Sequence, residues 1–190
     1  MELHRVGVKY FAADPGAVDL EAVVPVFHGW IRERPVEGLL IDVADYRHVR
    51  GGPGVVLVGH EADYSLDLSR GRPGFLCVRK RFSVGGAADP LIAAFRGALH
   101  GCRALEAAFG GRLRFHTGEA EVLFLDRLHA PNRPETIDGL RGGIEAALGR
   151  LYPGLPAAIE PRAADRREPL AVGISVPGAP DLATLCARIG

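Results

Sequence analysis

The sequence predicts a single α+β domain, residues 1–190, built on a mixed, largely antiparallel sheet with helices packed mainly on one face. Strand signals follow one another without an intervening helix between residues 39 and 78, whereas a doubly wound fold would alternate strands and helices. The length of 190 residues and a hydrophobic content of 47% suit one domain with a substantial core. The element order, β-α-β-β-β-β and then α-β-β-α-β-α, predicts a ferredoxin-like core with an inserted β-meander.

The first strand and helix follow from local patterns. Val6, Val8 and Tyr10 alternate with polar or small residues, which predicts a strand with one buried face. Asp19 is the predicted N-cap of a helix, and Pro25 inside that helix predicts either a kink or a helix that begins at the proline. The apolar stripe of this helix comprises Leu20, Val23, Val24, Phe27, Trp30 and Ile31.

Four strands are predicted next. The short apolar runs 39–44 and 55–58 are typical of central strands that are covered on both faces. Residues 63–68 alternate with period two, and 75–78 form a further apolar run after a segment rich in turn-forming residues. Together these segments predict a β-meander.

The second half opens with the clearest helix signal of the chain. Asp89 is a predicted N-cap, Pro90 occupies the first helical position, and Gly110 ends the helix. Strand signals then cover 113–116 and 119–126, and Thr117–Gly118 between them predicts a tight turn.

The remaining elements are predicted from caps and breakers. Asn132, with Glu135 three residues later, predicts the start of another helix. The proline-rich segment 153–161 is expected to be an exposed loop. A strand over 170–176 and a short helix capped by Asp181 follow it.

Composition excludes several classes of partner. Lys plus Arg and Asp plus Glu both number 23, so no overall field attracts a nucleic acid or an acidic membrane surface. The cysteines Cys77, Cys102 and Cys186 lie in apolar segments and are expected to be buried free thiols. No signal-peptide or membrane-span pattern occurs, so we expect a soluble cytoplasmic protein, and the preference for Ala, Gly, Arg and Pro indicates a GC-rich bacterial source.

Common catalytic and cofactor motifs are absent from the sequence. It has no P-loop, no GxGxxG that opens a helix, no GxSxG and no HExxH. Nucleoside triphosphate hydrolysis, dinucleotide binding, serine hydrolysis and zinc proteolysis are therefore not indicated, and the sequence identifies no cofactor. A small molecule or a protein subunit, including a second copy of this chain, remains as the partner class.

One polar cluster follows the predicted strand 55–58. His60 and Glu61 form a candidate acid–base pair, and Asp63 and Tyr64 are candidate binding residues beside them. The alternative is a hydrogen-bonded turn that joins two strands, with Asp63 bonded to nearby backbone amides.

A second polar cluster contains Asp42 and Asp45, with Tyr46 and His48 close behind. Asp42 stands in an apolar run, and a buried carboxylate needs a partner. If the strands pair antiparallel, Asp45 lies about 20 Å from His60, too far to share a metal ion, and Asp42 lies about 10 Å away, close enough to share a cleft. A parallel pairing would change these distances.

The other polar residues indicate structural roles. His100 is expected on the exposed face of its helix, and His116 and His129 fall at a strand end and in a loop. Asp126 and Arg127 are expected to fix that loop through an ion pair.

Residues 41–64 carry the pattern Ile-Asp-Val-Ala-Asp-Tyr, His-Val, Gly-Pro-Gly-Val and Gly-His-Glu-Ala-Asp-Tyr. This pattern resembles a signature of uncharacterised bacterial proteins of similar length. The resemblance covers a small part of the chain, implies no activity, and directs attention to the two polar clusters.

The sequence therefore supports two hypotheses about function. The first is a ligand-binding or assembly protein that presents residues 60–68 or a helix face to a small molecule or a second subunit. The alternative is a small enzyme of the hydrolase or lyase type, with or without a metal ion, in which His60 and Glu61 exchange protons and Asp42 or Asp63 tunes them.

Overall fold

The computed structural model describes residues 4–80, 90–162 and 165–190 of the chain. The strands are β1 (Val6–Ala12), β2 (Leu40–Tyr46), β3 (Gly54–Gly59), β4 (Ala62–Asp67), β5 (Gly74–Arg79), β6 (Phe115–Phe124), β7 (Ala158–Pro161) and β8 (Leu170–Ser175). The helices are α1 (Leu20–Glu33), α2 (Pro90–Ala108), α3 (Pro134–Leu151) and α4 (Leu182–Ile189).

The eight strands of the described part form one sheet in the order β2-β3-β4-β5-β1-β6-β8-β7. Every pairing between them is antiparallel, so the predicted α+β class is confirmed and the sheet is more uniform than the mixed sheet expected. Apart from β2 and β3, the elements from β1 to β6 follow the order β-α-β-β-α-β around the central strands β4-β5-β1-β6. Strands β2 and β3 are the inserted part of the meander.

The core lies between one face of the sheet and the helices. Alternate residues of β1, such as Val8 and Tyr10, pack into it, together with Phe75 of β5 and residues of all four helices. The Tyr10 hydroxyl also contacts the hydroxyl of Tyr152, the residue directly after α3, at an oxygen–oxygen distance of 3.0 Å. Helices therefore cover this face, and we call the side that carries Lys9 the charged face.

Strand β1 is buried on both faces, although its alternating pattern predicts only one buried face. The difference arises on the charged face, where Lys9 is covered through its contact with Asp67 and Phe11 is covered by the Arg72 guanidinium group. Conversely, β2 is an edge strand, and Asp42 is exposed on it, so the expectation of a central strand with a buried carboxylate was wrong. The apolar content of a short run does not indicate where in a sheet the strand will pair.

The predicted turn at Thr117–Gly118 is absent, because β6 runs through both residues as one ten-residue strand. The backbone of Gly118 instead approaches β8 closely: its carbonyl oxygen accepts from the Val176 amide at 2.8 Å, and a Cβ at 118 would lie 2.6 Å from the Val176 oxygen. The register between β1 and β6 shifts here, between Tyr10 and Ala12. The turn signal thus marks an irregularity in pairing.

Two other expectations differ in the second half. Helix α3 begins at Pro134 rather than after an Asn132 cap, and the Asn132 side chain donates to the Asp165 carbonyl oxygen at 2.9 Å. The expected loop 153–161 contains the edge strand β7, which pairs with β8 while most of its side chains remain exposed. The predicted cap at Asp89 lies outside the described residues.

The remaining local signals agree with the structure. Asp19 caps α1, which begins before Pro25 and continues through it. Asp181 caps α4 by accepting from the Thr184 amide at 2.8 Å. All three cysteines are buried and free. Within the described ranges, no helix combines the length and apolar character needed to cross a membrane.

Candidate functional site

The turn between β3 and β4 carries the predicted acid–base pair, and the carboxylate of this pair binds the backbone of an adjacent segment. Glu61 Oε2 accepts from the Leu39 amide at 2.9 Å, and Glu61 Oε1 lies 3.2 Å from His60 Nδ1. The hydrogen bond from the Leu39 amide is the largest influence that lowers the pKa of Glu61. This carboxylate therefore fixes the start of β2 against the turn, as the hydrogen-bonded alternative expects.

Asp63 and Tyr64 do not converge on a common space. Asp63 Oδ1 accepts from Lys80 Nζ at 2.7 Å and from the Gly59 amide at 3.2 Å. Tyr64 is 1% exposed within the core, where its hydroxyl donates to the Glu37 carbonyl oxygen at 2.8 Å. Burial raises the pKa of Tyr64 far above its usual range.

The second predicted cluster lies along the exposed edge of the sheet. Asp42 Oδ1 accepts from the amide of the next residue at 2.8 Å, and Asp45 binds Arg47 Nε at 2.8 and 2.9 Å. The antiparallel register pairs Asp45 with Val55, at the far end of β3 from His60. Asp45 and His60 are therefore well separated, as predicted. Asp42 is exposed, so it does not need the buried partner that was expected.

Among the described residues, neither predicted cluster contains a buried ion pair, but the charged face of the sheet does. Lys9 of β1 is 1% exposed and Asp67 of β4 is 2% exposed. The Lys9 ammonium donates to Asp67 Oδ2 at 2.5 Å and to the Ser69 carbonyl oxygen at 3.1 Å. Because burying two ions costs free energy even when they are paired, this pair by itself is weak evidence of a stabilising role.

A glycine allows this pair to form across an intervening strand. Strand β5 separates β1 from β4, and Gly74 of β5 pairs with both Phe11 and Asp67. A Cβ at position 74 would lie 3.0 Å from Lys9 Cε and 2.4 Å from the Tyr10 carbonyl oxygen. The missing side chain thus leaves a path along which Lys9 crosses β5.

Glu121 continues the row of buried charge on β6. Its register partners are Lys9 of β1 and Gly173 of β8, and it is 6% exposed. Arg70 Nη1 lies 3.6 Å from its Oε1. Desolvation by burial raises the pKa of Glu121, and the positive charges of Arg70, Lys9 and Arg162 only partly offset that effect. Such a carboxyl group holds its proton to a higher pH than an exposed glutamate does.

The absence of a side chain at Gly173 makes room for the charged side chain of Arg162. A Cβ at position 173 would lie 2.0 Å from Arg162 Nε and 2.7 Å from its Cζ. The guanidinium group of Arg162 therefore packs against the backbone of β8 at Gly173, the register partner of Glu121. Any larger residue at 173 would displace it.

These residues border a cleft of about 290 Å³, which we call the arginine cleft. The Arg72 guanidinium carbon stacks 3.8 Å from the centre of the Phe11 ring, and Arg72 Nη2 donates to Glu119 Oε2 at 2.6 Å. The cleft is lined by Phe11, Arg70, Arg72, Glu121, Arg162 and Glu168.

Two of the guanidinium groups keep unused donors. Arg70 lies 3.6 Å from Glu121 and 3.5 Å from Glu168, and Arg162 lies 3.9 Å from Glu160. Within the described residues, neither side chain makes a hydrogen bond to a protein acceptor. Arg70 also adopts a left-handed backbone, φ 61°, which costs a non-glycine residue about 1–2 kcal/mol. Strain of this kind is concentrated at functional sites.

The residues of the arginine cleft are far apart along the chain, so local spacing in the sequence does not group them. One signal was available: Lys9 is one of only two lysines and stands inside an otherwise apolar strand. Comparison of the chain with protein-family models, curated proteins and solved structures finds no significant match.

Proposed function

We propose that this protein binds a small molecule bearing a carboxylate or phosphate group, and that the arginine cleft is the binding site. The observation that carries the proposal is the pair of guanidinium groups, Arg70 and Arg162, which border the cleft without hydrogen-bonded protein partners among the described residues. Guanidinium groups bind carboxylate and phosphate in a bidentate manner, which gives both charge and directional recognition.

The size of the cleft favours a metabolite rather than a macromolecule. Its volume of about 290 Å³ is just below the usual range for small-molecule sites, roughly 300–1,000 Å³, so only a small ligand would fit. Phe11 is 8% exposed and its ring lies under the Arg72 guanidinium group, so this side of the cleft presents a further guanidinium group to a ligand.

The buried acid beside the arginines favours acid–base chemistry as a second candidate function. Glu121 has a raised pKa caused by burial, and it borders the cleft in which the ligand would lie. The pair predicted earlier, His60 and Glu61, is a weaker candidate because the Glu61 carboxylate already binds the Leu39 amide. An enzyme at the arginine cleft would therefore use Glu121.

Isothermal titration calorimetry with inorganic phosphate, acetate, succinate and benzoate tests the binding proposal. We expect at least one of these anions to bind, and Arg70→Gln and Arg162→Gln each to weaken binding roughly tenfold, the effect of losing a charged hydrogen bond. Arg47→Gln is the matched control, since Arg47 pairs with Asp45 beside the β2–β3 turn.

Two results would contradict the proposal. One is the absence of binding by all four probes at millimolar concentration in the folded protein. The other is an equal loss of affinity in Arg47→Gln and the cleft variants, because a general effect of surface charge would then explain the binding.

A further inference from the structure

A group of side chains that can bind a metal ion lies where β1 begins and β6 ends. This is the end of β1 that is far from Asp67. Val6 pairs with Phe124, and the Leu125 amide donates to the Arg5 carbonyl oxygen at 3.0 Å. This register continues outward and brings His4 beside Asp126. The antiparallel pairing thus joins the N-terminal segment to a loop more than a hundred residues away.

The loop holds its own two polar residues in a fixed turn. Asp126 Oδ1 accepts from the amides of Leu128 and His129 at 3.2 and 3.3 Å, and the Ala130 amide donates to the Asp126 carbonyl oxygen at 2.8 Å. His129 Nδ1 lies 2.7 Å from Asp126 Oδ2. The carboxylate is therefore oriented by its own backbone, in the way that outer contacts orient metal ligands.

His4 completes a set of two imidazoles and one carboxylate. The rings of His4 and His129 are 4.5 Å apart between centroids. One donor atom from each of His4, Asp126 and His129 lies within 4.8 Å of the others. Ligands of a tetrahedral zinc ion are about 3.3 Å apart, because each is about 2.0–2.1 Å from the metal. Both histidines are exposed, so small rotations of their side chains close this difference.

We propose that His4, Asp126 and His129 bind a divalent transition metal ion of the zinc class. Two imidazole nitrogens and one carboxylate oxygen suit Zn²⁺, Co²⁺ or Ni²⁺, whereas Mg²⁺ and Ca²⁺ prefer sites built from oxygen ligands. Three protein ligands leave at least one coordination position for water or an external ligand, which is the arrangement of a reactive zinc site rather than a closed structural one.

The surroundings indicate what that external ligand would be. Arg127 and Leu128, in the turn between Asp126 and His129, also line a cavity of about 470 Å³. Arg133 and Arg166 line the same cavity. The three metal-binding side chains do not line this cavity, but an external ligand that reached from the metal ion into it would meet three guanidinium groups, which favour a carboxylate or phosphate.

The test is a titration of the 190-residue chain, prepared without a histidine tag, with CoCl₂. We expect one equivalent of Co²⁺ to bind and to produce visible d–d absorption bands, and one equivalent of Zn²⁺ to abolish the bands by competition. Calorimetry with ZnCl₂ should give the same stoichiometry.

The variants His4→Ala, Asp126→Asn and His129→Ala should each weaken Co²⁺ binding at least about tenfold. Asp126→Asn retains an acceptor oxygen for the Leu128 and His129 amides, so the turn is maintained while the charged ligand is lost. His48→Ala removes an exposed histidine outside the group and should bind Co²⁺ as the parent does.

Absence of stoichiometric Co²⁺ or Zn²⁺ binding at 100 μM protein, roughly the concentration such titrations need to detect micromolar affinity, would overturn the proposal. Unchanged binding in the combined variant of His4, Asp126 and His129 would overturn it as well. Circular dichroism of each variant separates a lost ligand from a lost fold.

Discussion

Lys9 on β1 and Asp67 on β4 form a buried ion pair across β5, with 2.5 Å between Nζ and Oδ2. Their strands are not neighbours, and the contact exists because Gly74 leaves β5 without a side chain at the crossing point. Glu121 lies next to Lys9 on the other side, so three ionisable groups share the charged face where it is least exposed. The arginine cleft lies beside these three residues.

Lys9→Met should destabilise the protein by about 3–5 kcal/mol, because it leaves the Asp67 carboxylate buried without a counter-ion. Urea unfolding measures the change. Lys80→Met is the matched control, since the Lys80–Asp63 pair is partly exposed and its loss should cost about 1 kcal/mol or less. Equal costs for the two variants would contradict the buried-pair interpretation.

Gly74→Ala should destabilise the protein strongly and should disturb Lys9. The added Cβ would lie 2.4 Å from the Tyr10 carbonyl oxygen, a backbone atom that cannot move without disrupting the sheet. Gly142→Ala is the control, because Gly142 lies in α3 with no atom near the added Cβ, and alanine there should stabilise the helix by up to about 1 kcal/mol. Thermal unfolding of both variants measures the difference, and a Gly74→Ala variant as stable as the parent would refute the crossing role.

Glu121→Gln should gain stability relative to the parent as the pH rises. Burial raises the pKa of Glu121 in the folded state, so the folded protein binds this proton more tightly than the unfolded chain does. The parent therefore loses stability as the pH rises from about 4.5, the usual glutamate value, through the raised folded value, and the variant does not. Urea unfolding between about pH 4 and 8 measures the difference.

Glu119→Gln should show the opposite pH dependence and serves as the control. The hydrogen bond from Arg72 lowers the pKa of Glu119 in the folded state. Its contribution to stability is therefore present above the usual glutamate pKa and is lost as the pH falls through the lowered value. If both variants follow the same trend with pH, the proposed environment of Glu121 is wrong.

Gly173→Ala should weaken anion binding at the arginine cleft with little loss of stability. The added Cβ meets the far end of the flexible Arg162 side chain, which can swing away into solvent. In a double-mutant cycle, Gly173→Ala should have no additional effect on phosphate or carboxylate affinity once Arg162→Gln is present. Additive losses in that cycle would mean that Gly173 acts independently of Arg162.

The local signals of the sequence predict most of the helices and strands correctly. Asp19 and Asp181 cap helices as expected, because a cap needs only a side chain and the amide three residues later. The β-meander and the α+β class follow from the same kind of short-range pattern. Thr117–Gly118 was misinterpreted as a turn because a glycine required by close contact between strands looks the same in sequence as a glycine required by a turn.

The sequence by itself therefore determined the fold class, the periodic core and the burial of the cysteines, since these depend on spacing along the chain. Only the tertiary structure decided that β2 lies at an edge, where Asp42 is exposed, and that β1 lies at the centre, where Lys9 is buried. It also decided which distant residues meet, such as Lys9 with Asp67 and His4 with Asp126. The physical reason is that strand order and register arise from side-chain packing between segments far apart in sequence, and local spacing does not encode that packing.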